Sequence, residues 1–147
     1  MKTPGVGSGT NGPDSMEFLQ QARALMRAPE AGQAHLGGTW PRAVALLTRQ
    51  ALEQSLNNFW SQQAPGVEHA SRAAQLLCLT AFLDDRNVVS GVRSAWHGLS
   101  RACHHQVYEL PPTATELERW LDAVDALVGY DPIRSVPSSR PRRRSPA

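Results

Sequence analysis

Between residues 15 and 130 the chain is cut by proline, glycine and aspartate into five runs, and within each run apolar residues recur at three- and four-residue steps. No run alternates apolar and polar residues as a half-buried strand does. That pattern predicts an all-α fold, a single-domain bundle of about five helices. A length of 147 residues suits one such domain. The first helix spans 15–28, with Ser15 as N-cap and Phe18, Leu19, Ala22, Leu25 and Met26 on its stripe. Pro41 occupies the first turn of a second helix that reaches about Ser61 and buries Ala45, Leu52, Leu56 and Phe59. The third covers 68–83 and is apolar nearly all round, which predicts a central position. Asp84, Asp85 and Asn87 open a fourth helix over 86–108, stopped by Pro111 and Pro112. Thr113 and Glu116 form a capping box for the last, which carries Leu117, Trp120, Leu121, Val124, Leu127 and Val128 to Gly129.

Residues 1–14, with four glycines and two prolines, and residues 131–147 show no apolar period and read as disordered tails. The net charge of +2 conceals an asymmetry: residues 1–133 sum to −3 and residues 134–147, with five arginines and no acid, to +5. Such a tail attracts a polyanion by charge alone, although most like-charge blocks are simply solvated. No stretch approaches the eighteen apolar residues of a membrane span. The N-terminal segment also lacks the apolar core of a secretory signal. The expectation is a cytoplasmic protein with Cys78 and Cys103 as buried core thiols.

The fourth helix carries the chemistry. With about 100° per residue, Arg93, His104, His97, Tyr108, Arg101 and His105 fall within about 120° of one another. Val89, Val92, Ala95 and Leu99 fall on the opposite side. The polar face has two arginines, three histidines and a tyrosine but no carboxylate, whereas a merely solvated face mixes both signs. Arginine is a permanent planar fork that suits phosphate. Histidine exchanges a proton near neutral pH. The combination fits a site that grips a phosphodiester. It also fits a polar, exposed face or a covered interface.

The run Arg101-Ala-Cys-His-His-Gln-Val-Tyr108 resembles the motif of HEPN domains, small all-α bundles often found in bacterial toxin and phage-defence systems. That motif is an arginine, four to six residues, a histidine and, in some members, a tyrosine two positions on. The resemblance implies a metal-independent ribonuclease acting as a homodimer. With Arg101 and Tyr108 in register, Gln106 stands in the histidine position and Ala102 where Asn, Asp or His is usual. Gln106 cannot transfer a proton, so either His105 or His104 replaces the missing group or the chain binds RNA without cutting it. In this scheme Arg101 holds the scissile phosphate and His105 or His104 is the general acid or base. Arg93 and His97 extend the phosphate track, and Tyr108 orients the histidines or stacks on a base.

A different class of function uses the same face: a non-catalytic helical adaptor or regulatory subunit with the polar side of 86–108 as its protein interface. No metal or cofactor is expected. His97, Cys103, His104 and His105 have no zinc spacing, and there is no phosphate-cradling glycine loop or dinucleotide fingerprint. Trp40, Trp60, Trp96 and Trp120 read as packing residues, Trp96 and Trp120 as core anchors. Gly98, inside a helix, either admits another backbone, for instance across a dimer interface, or is simply tolerated.

Overall fold

The computed structural model describes residues 14–27, 39–104 and 109–130. Among the described residues the elements are α1 (Ser15–Arg27), α2 (Trp40–Gln63), a 3-10 turn (Val67–His69), α3 (Arg72–Phe82), α4 (Arg86–Cys103) and α5 (Ala114–Val128). The fold is the all-α bundle that the periodicity predicts. Of the two segments read as tails, 1–14 and 131–147, all but Asp14 lies outside the described residues.

Short polar side chains set the helix starts by accepting N–H groups that have no partner within the helix. Asp14 Oδ1 accepts from the Glu17 N–H at 2.8 Å, so Asp14, not Ser15, caps α1. A carboxylate there also meets the positive end of the helix dipole. Ser71 Oγ accepts from the Ala74 N–H. Asp85 Oδ1 accepts from the N–H groups of Asn87 and Val88. Thr113 and Glu116 form the complete capping box expected of α5.

The centre of the bundle is α2, which packs against α1, α4 and α5. Val44, Ala45, Ala51, Leu52, Leu56 and Trp60 are fully buried along it. They meet Val92, Ala95 and Leu99 from α4 and Leu117, Leu121 and Val124 from α5 in one core. Each buried side chain of leucine size contributes about 1.5–3 kcal/mol relative to exposure. Trp60 is held edge-on between Phe59 and Phe82, with ring centroids 5.0 and 5.1 Å away.

Four expectations are corrected. Far from being central, α3 lies at the edge: it buries only Gln75, Leu76 and Leu79, while Leu77 is 69 % exposed. An all-round apolar helix has no preferred stripe, and among the described residues one side alone finds neighbours. For the same reason Cys78 is exposed rather than a core thiol, and Cys103 is only partly covered. Gly98 is explained within the chain, because a β-carbon there would fall on the Trp120 indole. Trp120 and Trp96 are half-buried, and Trp60 is the tryptophan at the centre.

Candidate functional site

The inner side of α4 is fixed by Val89, Val92, Ala95 and Leu99, and this sets what the outer side presents. Ser90, Ser94, His97, Arg101 and His104 are exposed in a row at steps of four, three, four and three residues. The helix ends at Cys103, five residues short of the predicted end. His104 turns to extended backbone at φ −77° and ψ 113°, its N–H still donating to the Ser100 carbonyl. His105, Gln106 and Tyr108 lie outside the described residues.

Two separate clefts divide the face. Arg93 and His97 border one between α3 and α4, together with Arg86, Ser90, Ser94 and Asp84. Arg101 borders another, formed with Gly98, Glu109, Pro111, Glu116 and Trp120. Arg93 and His97 thus share one cleft and Arg101 lines another, although His97 and Arg101 remain neighbours at i and i+4 in the exposed row. Nor is the face free of acids once its neighbours are in place. Asp84 enters the first cleft, and Glu109 and Glu116 enter the second. Glu116 is already engaged, accepting from the Thr113 N–H and hydroxyl. These acids come from other elements, so the face of α4 by itself carried no sign of them. Asp84 was visible only as part of a helix break.

Arg93 is half-buried, and its Nε and Nη2 both donate to the Leu76 carbonyl, at 3.2 and 3.0 Å. Arg101 is exposed and makes no hydrogen bond or ion pair among the described residues. Its place in the last turn of α4 also suits a cation, since the helix dipole is negative there. On the other side of the helix, the Arg49 guanidinium lies 5.2 Å from the Trp96 ring centroid. Burial pushes the Cys103 thiol above its ordinary range, against a weaker opposing hydrogen bond from Arg49. Among the described residues no group of three or more His, Cys, Asp or Glu is gathered to hold a metal ion. None of the described helices is long and apolar enough to cross a membrane.

No family model matches this chain, and no curated protein and no solved structure matches it.

Proposed function

We propose that the chain binds RNA along the outer row of α4, with Arg101 gripping a phosphodiester. The observation that supports this reading is the state of Arg101: exposed, unpaired among the described residues, and flanked at i−4 and i+3 by exposed His97 and His104. A free guanidinium beside two imidazoles offers charge and directed N–H donors to a phosphate. The resemblance of residues 101–108 to the HEPN motif belongs to this proposal, as do a homodimer and a setting in bacterial defence. Gln106 in the proton-transfer position favours a binder over a ribonuclease; His104 and His105 are the groups that would serve if the chain cuts.

The test is fluorescence anisotropy with a single-stranded RNA in excess EDTA, with the same mixtures run on a gel. Wild type should bind with an affinity that falls with salt, by a slope of about −0.7 per phosphate contacted. No cleavage should appear. Arg101→Ala should weaken binding about tenfold, the size of one lost charge-assisted hydrogen bond. Unchanged affinity in Arg101→Ala would sink the reading.

A second reading, the helical adaptor, is supported by α3 rather than by the polar side of α4. Leu77 and Phe82 are 69 % and 41 % exposed, and no residue from Ala73 to Leu83 is charged. An uncharged, exposed helix face is the kind of surface a protein partner covers. Leu77→Asp separates the two readings, since it should abolish protein capture and leave RNA affinity unchanged.

A further inference from the structure

We propose that the cleft between α3 and α4 binds a phosphomonoester, the group carried by a mononucleotide or by the phosphorylated end of an RNA. Its volume of about 840 Å³ lies within the range of small-molecule sites, about 300–1,000 Å³. Arg93 anchors it. Nε and one N–H of Nη2 donate to the Leu76 carbonyl, which fixes the plane of the guanidinium and leaves Nη1 without a partner among the described residues. A backbone carbonyl orients the charge without neutralising it, and no carboxylate among the described residues pairs with Arg93. A half-buried, pre-oriented and uncompensated cation is stabilised by an anion and loses little entropy in binding one.

Ser90, Ser94 and His97 lie beside Arg93 along the same cleft, with Arg86 further toward the N-terminal end of α4. Nη1, two hydroxyls and an imidazole N–H supply enough donors for the three terminal oxygens of a monoester, whereas a diester offers only two non-bridging oxygens. Asp84 is the acid of the cleft, in the turn that precedes α4, one residue before its cap. Its repulsion places the anion toward Arg93, Ser94 and His97. Ser90, Ser94 and His97 also belong to the outer row of α4, but the anchor here is Arg93, and Arg101 borders the other cleft.

Calorimetric titration of the full chain tests this, using inorganic phosphate, uridine, uridine 5′-monophosphate and a short RNA with or without a 5′-phosphate, at matched ionic strength. Phosphate-bearing probes should bind and uridine should not. Arg93→Gln should weaken them about tenfold or more. Since that change also removes the bond to α3, Ser94→Glu is the companion: it breaks no described contact and should weaken them as much. Asp84→Asn should tighten binding a few-fold. Arg119→Ala, which removes the same charge from an exposed position on α5, should change nothing. Equal binding of phosphate and the mononucleotide identifies a free monoester as the ligand. Binding only of the 5′-phosphorylated RNA identifies an RNA end. Failure of every probe, failure of phosphate and the mononucleotide with equal binding of the two RNAs, normal mononucleotide binding by Ser94→Glu, or an equal loss in Arg119→Ala would each overturn the proposal.

Discussion

Two adjacent helices, α3 and α4, reach the same cleft by opposite means. α3 has no charged residue from Ala73 to Leu83, yet it buries only three side chains and one of those is Gln75. α4 carries three arginines, yet Val89, Val92, Ala95 and Leu99 insert it between α2 and α5. Burial thus follows the arrangement of apolar residues rather than their number, because one rigid helix can turn only one stripe inward. The apolar helix adds polar bonds to the burial of Leu76 and Leu79. The Gln75 amide nitrogen donates toward the carbonyls of Val67, Glu68 and Ala70, at 3.1, 3.1 and 3.0 Å, and its carbonyl accepts from Arg72. Arg93 reaches across to the Leu76 carbonyl. The charged helix is held by packing.

The largest expected effect breaks the packing of α4. Replacing a helix-interior glycine by alanine ordinarily gains about 0.5–1 kcal/mol. At Gly98 the sign should reverse, because the new β-carbon meets the Trp120 ring. Overpacking of this kind costs about 1–3 kcal/mol. At Gly91 the nearest atom to an added methyl is the Ala123 β-carbon at 3.4 Å, an ordinary contact, so Gly91→Ala should be neutral or slightly stabilising. Thermal unfolding of the two variants side by side decides the matter. A raised midpoint in Gly98→Ala would mean that Trp120 can swing away at no cost.

Next in size is the polar anchoring of α3. Gln75→Leu keeps the bulk but leaves the Glu68 and Ala70 carbonyls and the Arg72 guanidinium without this partner. Such orphaned groups cost about 1–3 kcal/mol, toward the lower end where water can enter. The loss should be local. Amide exchange should speed up between residues 64 and 76 and stay unchanged in α2 and α5. Uniform loss of protection across the bundle would show that α3 is as integral as α4, and would remove the contrast between them.

What the sequence makes legible is whatever one element decides by itself. The stripes of α4 and α5 and the capping box at Thr113 depend on spacing within one helix, and each appears where the residues place it. The position of α3 depends on which neighbours reach it, and an all-round apolar run does not encode that. Gly98 is half of a pair whose other half, Trp120, stands twenty-two residues away with no local sign of the contact. The site divides in the same way. The shared row of His97 and Arg101 follows from their spacing, whereas Asp84, Glu109 and Glu116 join the clefts through chain turns.

The smallest effect concerns reactivity rather than stability, and it sharpens the same comparison through the one cysteine on each helix. Cys78 is exposed on α3, and Cys103 is partly covered at the end of α4. Burial raises the Cys103 thiol above its ordinary value of 9.0, the Arg49 hydrogen bond offsetting only part of the effect. Because the thiolate is the reactive form, Cys103 should label more slowly than Cys78 at neutral pH and keep accelerating beyond pH 9.0. The sign for stability follows from the same shift. The folded state holds this proton more tightly than the unfolded chain, so the contribution is complete below the unfolded thiol value and is lost as pH rises through the folded one. Site-resolved alkylation followed by mass spectrometry reads both rates in one sample. Equal rates would mean that the end of α4 opens as readily as the exposed face of α3, and that its packing does not extend to the last turn.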